Sequence, residues 1–227
     1  MPEDVKKLTL TFDNGPTPGI TDAVLETLER FGVRATFFLV GTQLQKAEAR
    51  VLAEEASARG HRIGNHTYSH GAPLGEQLSP GVARDEILRM HDLLGDLAGV
   101  VPLFRPNGRG RMGPHLLSHE SVETLSTIGA SVVLWSSVPK DRKVDVPTPD
   151  AWLVQAKQDV LAQAWPVMAL HDRPSGHPDA GPMQYLHEFL SWTHDQQIEI
   201  VQEIPSEQMP MQKGQPMPEL SRFITPA

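Results

Sequence analysis

The chain has 227 residues, of which 39% are hydrophobic and 21% charged, and its formal net charge is −8. This composition predicts a globular protein with a sizeable core, and the negative charge argues against nucleic acid or an anionic membrane surface as the main partner. There is no cysteine, which excludes disulfides, thiolate metal sites and cysteine nucleophiles. The N-terminal stretch MPEDVKK is charged and no apolar run approaches about 18 residues, so we expect a cytoplasmic chain without a membrane span.

Short apolar runs alternate along the chain with longer segments of helical spacing. The runs that predict strands are 8–12, 35–40, 62–65, 102–106, 131–135, 167–171 and 198–202. Helical patterns occupy 21–32 and then roughly 43–59, 80–97, 114–129, 149–163 and 182–195. Thr21 is the expected N-cap of the first helix. This alternation predicts parallel strands with right-handed crossovers, either as a closed barrel or as an open doubly wound sheet, and periodicity does not choose between them.

In either architecture the active site should lie beyond the carboxyl ends of the strands. Several polar or aromatic side chains fall at those ends, namely Asp13, Asn14, Asn65, His66, Arg105, Trp135 and His171. The sequence therefore predicts that these side chains share one edge of the sheet.

The stretch GNHTYSH places two histidines four residues apart, at His66 and His70. On a helix this spacing would bring both imidazoles to one face, where they can share a metal ion. Ten histidines in 227 residues make the spacing weak evidence alone, and HLLSH supplies a second pair at His115 and His119. Position separates the two pairs. The first follows a strand, whereas the second lies in a segment of helical pattern, so we expect metal binding at the first.

The other candidates keep two interpretations when each is taken alone. Asp13 and Asn14 are the nearest further ligands by topology, but DNGP is also good turn chemistry for capping a strand. Arg105 is either a buried partner for a carboxylate or a surface arginine before a Pro-Asn-Gly turn. A lone histidine such as His171 at the end of an apolar strand is more often a satisfied core residue.

The C-terminal stretch beyond Pro205 is rich in Pro, Gln and Met and has no periodicity. It predicts an extended or mobile tail, so we expect one domain over 1–204 followed by a tail over 205–227. Whether the tail packs on the domain or on a partner chain is open, as is the oligomeric state.

Taken in order, TFDNGP, ATFFLVG, GNHTYSH, FRPNG and VMALHD resemble the motifs of the polysaccharide deacetylase family (the NodB homology domain, carbohydrate esterase family four). The resemblance runs from about residue 8 to residue 203. It implies a distorted (β/α) barrel of about seven parallel strands. It also implies a metal-dependent hydrolase that removes acetyl groups from N-acetylated sugars or from a small acetamide.

Catalytic roles follow from the resemblance position by position. The general base of the family corresponds to Asp13, and the arginine that holds this carboxylate corresponds to Arg105. The general acid corresponds to His171. The resemblance thus implies that a water attacks the acetamide carbonyl while Asp13 takes its proton and His171 protonates the leaving amine.

The metal and substrate positions follow in the same way. The family's metal triad corresponds to Asn14, His66 and His70, and the implied cofactor is a divalent metal, Zn²⁺ being the first choice. The resemblance places Asn107, through a backbone N–H, and Trp135 at the substrate.

The sequence departs from the family pattern at three places. Asn14 replaces a metal-binding carboxylate, which should weaken the metal site. Val138 stands where the family has the Asp that supports the acid histidine. Asp141, three residues further on, would need a loop shift to take over the role of that Asp. Arg142 stands where the family has a second Trp. The turn after Arg105 is also shorter than is common. These departures keep two alternatives open: a degenerate member that binds a glycan or metabolite without turnover, and a C–N hydrolase with a non-sugar substrate.

Overall fold

The computed structural model describes residues 5–77, 79–141, 150–173 and 185–226. The strands are β1 (Lys7–Asp13), β2 (Thr36–Leu39), β3 (Arg62–Asn65), β4 (Leu103–Phe104), β5 (Ser131–Val132), β6 (Val167–His171), β7 (Glu199–Val201), β8 (Met211–Gln212) and β9 (Gln215–Pro216). The helices are α1 (Thr21–Arg30), α2 (Gly41–Leu44), α3 (Ala47–Ala58), α4 (Val82–Leu94), α5 (His119–Thr127), α6 (Ala151–Ala162) and α7 (Leu186–Asp195). Among the described residues, none of the helices combines the length and the apolar character needed to cross a membrane.

Strand β1 pairs in parallel with three strands, β2, β6 and β7. Its side chains alternate between two buried faces, as the period of two residues requires. Leu8, Leu10 and Phe12 belong to a hydrophobic cluster that also contains residues of the surrounding helices. Thr11 and Asp13 point to the other face, where both contact Arg105. This alternation places Asp13 at the carboxyl end of β1 on the inner face of the sheet.

The strand order is β6-β1-β2-β3-β4-β5, all parallel, followed by the antiparallel pair β8 and β9. The segment after β5 turns back to β6, because Ser137 pairs with Met168 in a parallel bridge and its carbonyl accepts a hydrogen bond from Ala169 N at 2.9 Å. This bridge brings the two ends of the parallel sheet together. The structure therefore confirms the predicted distorted (β/α) barrel and rules out the open doubly wound sheet.

Two local predictions were wrong. Thr21 is the first residue of α1, and Ile20 occupies the cap position. The Thr21 hydroxyl instead accepts from Thr17 N at 2.7 Å and donates to Asp172 Oδ2 at 2.7 Å, so it ties α1 to the end of β6. The pair of HLLSH is also not on one helix, because His115 lies in a 3-10 turn that ends before α5 begins at His119.

The C-terminal segment packs on the barrel. Strand β8 pairs with β5 through Met211, which is fully buried, and Leu220 is buried in the same hydrophobic cluster. Thr225 donates from its backbone N–H to Leu117 O at 2.9 Å and from its hydroxyl to Gly75 O at 2.6 Å. This regular pairing differs from the predicted extended or mobile tail, since single buried apolar residues between prolines leave no periodic signal. The boundary between a domain at 1–204 and a tail at 205–227 remains a prediction.

Candidate active site

A cavity of about 560 Å³ opens at the carboxyl ends of the parallel strands. Among the sequence-predicted residues, its lining includes Asp13, Asn14, His66, His70, Asn107, Trp135 and His171. Arg105 lies behind the lining and is fully buried. The structure therefore brings together every residue for which the sequence predicted a role at the site.

The carboxylate of Asp13 is held by Arg105. Arg105 Nη1 donates to Asp13 Oδ1 at 2.8 Å and to Thr11 Oγ1 at 2.6 Å. Its Nε and Nη2 donate to the carbonyls of Val133 and Leu134 at 3.3 and 3.2 Å. Of the two interpretations of Arg105, the buried ion pair is therefore the observed one. These bonds fix the guanidinium, which in turn fixes the direction in which Asp13 points.

Opposing effects act on the ionisation of Asp13. Burial alone would raise its pKa, but the charges of Arg105, His66 and His171 and the hydrogen bond from Arg105 together hold the pKa below its usual value of 3.8. Asp13 is therefore ionised across the neutral range, as a proton acceptor must be.

The two imidazoles of GNHTYSH approach each other in a loop. The pair does not lie on a helix: the residues after β3 are irregular, and Thr67 and His70 have positive φ of 67° and 53°. The ring centroids of His66 and His70 nevertheless lie 4.9 Å apart. The loop is fixed by Asn65, whose Oδ1 accepts from Thr67 N at 2.9 Å.

His66 and His70 are in the protonation state that metal ligation requires. His66 Nδ1 lies 2.8 Å from the carbonyl oxygen of Arg105, and because a carbonyl only accepts, Nδ1 carries the hydrogen and Nε2 carries the lone pair. Burial is the largest cause that lowers the pKa of both rings, and it brings the pKa of His70 to about 3. Both rings are therefore neutral near pH 7.

Asn14 supplies an oxygen atom that has no hydrogen-bond partner among the residues that the structure describes. This Oδ1 is buried, and a buried polar oxygen normally has a partner. The residue has a φ of 77°, a conformation that Asn tolerates better than most side chains. Within the described ranges, no three His, Asp or Glu side chains form a metal-binding group, and Asn, which also offers an oxygen, is not among those residue types. Two neutral imidazoles with an amide oxygen in need of a partner fit a divalent ion.

At the end of β6, next to Asp13 on β1, His171 is held by Asp141. Asp141 Oδ1 accepts from His171 Nδ1 at 2.8 Å, and Asp141 Oδ2 accepts from the backbone N–H of His171 at 2.7 Å. From the sequence, Asp141 was expected to need a loop shift to reach the histidine. The loop after β5 already places Asp141 at His171. Val138 also lines the cavity, and Arg142 lies outside the described residues.

Asn107 and Trp135 form part of one wall. Asn107 Nδ2 donates to Gly71 O at 2.6 Å, and Trp135 is buried with its ring against Gly108. A Cβ on Gly108 would lie 2.6 Å from the Trp135 ring, so the short turn packs directly on the indole. The roles assigned to the two residues at the substrate remain predictions.

Sequence analysis missed the role of Asp172, which follows His171 in the motif VMALHD. Its carboxyl group is fully buried, accepts from the Thr21 hydroxyl and packs against Gly15, which leaves no room for a Cβ at that glycine. Burial raises the pKa of Asp172 to about 6. Through its contact with Gly15, Asp172 therefore supports the loop that carries Asn14. The only signal in the sequence was a second polar residue at the end of an apolar strand.

An ion-paired aspartate, two neutral imidazoles and a carboxylate-held histidine thus surround one cavity of a parallel barrel, which is the candidate active site. The family model "Polysaccharide deacetylase" matches residues 1–117, which is more than half of the chain. The chain belongs to the polysaccharide deacetylase family.

Curated relatives carry names from the same family. The chain is 29% identical over 180 residues to the peptidoglycan-N-acetylglucosamine deacetylase of Bacillus cereus, covering 78% of this chain and 59% of the relative. It is 31% identical over 141 residues to the peptidoglycan-N-acetylmuramic acid deacetylase PdaC of Bacillus subtilis, covering 61% of this chain and 27% of PdaC. The chain thus spans only part of the length of either relative.

Solved structures share the fold. The structure of PdaC superposes with a TM-score of 0.65 at 26% identity, covering 88% of both chains. A family 4 acetyl xylan esterase from Clostridium thermocellum, solved with a cobalt ion, gives a TM-score of 0.67 at 24% identity, covering 87% of this chain and 88% of the other. At 24% identity, the likeness to the acetyl xylan esterase shows only that the two proteins share a fold.

Proposed function

We propose that the protein is a metal-dependent deacetylase that hydrolyses the acetamide of an N-acetylated sugar. The observation that carries this proposal is the placement of two paired side chains at one cavity, where the neighbouring strands β1 and β6 end: Asp13, held by Arg105, and His171, held by Asp141. Hydrolysis of an amide needs a proton acceptor for the attacking water and a proton donor for the leaving nitrogen, and Asp13 and His171 would supply them. The names of the curated relatives support the choice of substrate class.

In this proposal the metal would be held by Asn14, His66 and His70, and Zn²⁺ is the ion that suits this set best. When bound, the ion supplies Lewis acidity toward the acetamide carbonyl and toward a water molecule. The Arg105 carbonyl fixes the His66 tautomer through the 2.8 Å contact with Nδ1, which leaves Nε2 as the ring atom that could hold the ion.

Different residues of the chain would then carry out the individual proton transfers. Asp13 takes a proton from the attacking water, and Arg105 keeps its carboxylate ionised and aimed. The backbone N–H of Asn107 would donate to the developing oxyanion. His171, oriented by Asp141, would give a proton to the nitrogen as the C–N bond breaks, so that acetate and a free amine leave.

A second candidate function rests on Asn14. The amide is neutral, so the site carries one negative charge fewer than a carboxylate triad, and a weakly held metal would leave a glycan- or metabolite-binding protein without turnover. The proposed function and this alternative agree on the ligand and differ on hydrolysis.

Acetate release from N-acetylglucosamine oligomers with added Zn²⁺ tests the proposal. Asp13→Asn keeps the shape of the side chain and should reduce kcat by about 10²-fold or more, because the proton acceptor is lost. Asp85→Asn, the same change at an exposed helical position, should leave kcat unchanged. Absence of acetate from the wild-type protein with metal bound would favour the binding protein.

A further inference from the structure

A second cavity, of about 470 Å³, lies at the opposite end of the barrel from the candidate active site. Its lining includes Arg62, Leu103 and Ser131, which are the first residues of β3, β4 and β5. The active-site cavity is lined instead by Asp13 and His171, the last residues of β1 and β6. Among the described residues, the two linings have none in common. The second cavity is therefore a separate place on the molecule, which the proposed function does not use.

His61 is fixed in the wall of this cavity with one ring hydrogen to donate. Its Nδ1 accepts from Ala35 N at 3.1 Å, so the hydrogen of the neutral ring is on Nε2. The ring packs edge-to-face on Phe37, with centroids 5.3 Å apart, and the residue is only 6% exposed. Burial, with the charges of Arg59 and Arg34 nearby, lowers the pKa of His61 to about 4, so the ring is neutral at pH 7. Within the described residues Nε2 has no hydrogen-bond acceptor, which is unusual for so buried a group.

Ser131 supplies a second buried donor to the same cavity. Its hydroxyl oxygen accepts from Lys213 N at 2.9 Å, which attaches the turn between β8 and β9 to the start of β5. Ser131 is 2% exposed, and its hydroxyl hydrogen has no acceptor in the part of the chain that the structure describes. Oxygen atoms of a ligand in the cavity would give both buried donors a partner.

Two cationic side chains line the cavity as well. Arg62 and Lys213 are exposed, and within the described ranges neither forms an ion pair, although Arg62 Nη1 donates to Gln202 O at 3.3 Å. Asp96 is the one carboxylate in the described lining, so two cations face a single negative charge. In the whole chain Asp and Glu outnumber Lys and Arg by 28 to 20, which makes this positive excess a local feature. Such an excess attracts an anion.

Apolar side chains form the remaining wall of the cavity. This apolar wall consists of Ile63, Leu97, Val101 and Leu103. A few placed polar groups beside an apolar wall are typical of sites for small molecules, and a volume of about 470 Å³ is in their usual range. The cavity therefore has room for an organic group in addition to an anion.

We propose that this second cavity binds a small organic phosphate. The phosphate group accepts from the buried donors of His61 and Ser131, and its charge pairs with Arg62 and Lys213. A phosphate monoester suits these four donors because it has three strong acceptor oxygens and a charge of about −1.5 to −2 at pH 7. Arg and Lys are both common phosphate ligands. The organic part of the molecule packs on the apolar wall.

The test follows the imidazole nitrogens of the full chain by long-range proton–nitrogen NMR, which distinguishes this cavity from the active site. Titration with inorganic phosphate at pH 7 and constant ionic strength should shift the Nε2 signal of His61 until it saturates. The variant His61→Asn lacks this signal and so identifies it. Phenyl phosphate should bind about threefold or more tightly than inorganic phosphate, because its ring adds contact with the apolar wall.

Variants assign the binding to the two cations. The double variant R62Q/K213Q should bind phenyl phosphate about threefold to tenfold more weakly, the factor that two partly exposed ion pairs supply. The matched control R84Q/K46Q changes one exposed Arg and one exposed Lys that line neither cavity, and it should keep the wild-type affinity.

Several results would overturn the phosphate site. One is an unshifted His61 signal at about 50 mM phosphate, where a site with a Kd of about 5 mM would be about nine-tenths filled. A shift confined to His66, His70 and His171 would place the phosphate at the active site, and an equal response of His61 to acetate would indicate a carboxylate site. Wild-type affinity in R62Q/K213Q, or phenyl phosphate bound no more tightly than inorganic phosphate, would also overturn it. Acetate release plays no part in these results, so the proposed function and this inference can fail independently.

Discussion

Asp141 holds His171 at two atoms, with Oδ1 2.8 Å from Nδ1 of the ring and Oδ2 2.7 Å from the backbone nitrogen. The double contact fixes both the ring and the end of β6. It also means that Val138, three residues after Trp135, is not needed for this role. We therefore propose Asp141 as the positioning residue for the acid histidine.

Replacement of Asp141 should impair turnover more than binding. Asp141→Asn keeps the size of the side chain but removes the charge and offers an amide where the ring needs an acceptor. We expect kcat to fall by about tenfold to 10³-fold with little change in KM, because a misoriented imidazole transfers protons poorly. Steady-state acetate release measures both constants.

A change at Val138 tests whether a carboxylate at that position could support His171 in place of Asp141. Val138→Asp restores a carboxylate three residues after Trp135, but Asp141 already occupies His171 Nδ1. We expect no gain in kcat in the Val138→Asp protein. A gain of tenfold or more, or full activity in Asp141→Asn, would contradict the assignment of Asp141.

Asn14 should limit the affinity for Zn²⁺. Asn14→Asp adds a negative charge to the two imidazoles, and we expect the Kd for Zn²⁺ to fall by about tenfold or more. Competition with a chromogenic chelator measures the Kd without an activity assay. Asn14→Gly tolerates the φ of 77° and removes the amide, so it should bind Zn²⁺ more weakly than wild type. Unchanged Kd values in both variants would mean that Asn14 is not a ligand.

Stability should depend on His61 in mildly acidic solution. Burial, with Arg59 and Arg34 nearby, lowers the pKa of His61 to about 4, so between pH 6.5 and 4 the unfolded chain binds a proton that the folded chain does not. The contribution is fully present above pH 6.5 and is lost as the pH falls toward 4, by about 2 kcal/mol. Urea unfolding at several pH values measures the slope.

His61→Asn is the informative variant for that slope. Its amide oxygen can accept from Ala35 N, as His61 Nδ1 does at 3.1 Å, but it does not titrate. The free energy of unfolding of this variant should fall less steeply below pH 6.5 than that of wild type. The control His194→Asn, at an exposed position, should keep the wild-type slope. Identical slopes in wild type and His61→Asn would show that His61 does not contribute.

The C-terminal segment should contribute to the stability of the barrel. Met211 is fully buried between β5 and β9, and Met211→Ala should lower the free energy of unfolding by about 2–4 kcal/mol. Met217→Ala, at a residue that is 37% exposed, should cost much less. Chemical denaturation of both variants makes the comparison, and equal stabilities would indicate that the segment is only loosely attached.

Sequence patterns predicted most of the barrel because each inner strand is a short buried run between helices of clear periodicity. Active sites of parallel barrels lie at the carboxyl ends of the strands, and this regularity predicted that Asp13, His66 and His171 share one edge of the sheet. Three features depended on contacts that no local pattern records. The loop after β5 delivers Asp141, the irregular GNHTYSH loop pairs the imidazoles without a helix, and Asp172 packs under Gly15.

The proposed function requires that this cavity hold a divalent metal and that the protein hydrolyse an acetamide. The most direct measurement is the metal content of the purified protein, paired with acetate release from N-acetylglucosamine oligomers at matched Zn²⁺. We expect near-stoichiometric metal at saturating Zn²⁺ and acetate release that a chelator abolishes. No bound metal in excess Zn²⁺, or bound metal with no acetate release, would contradict the proposed function.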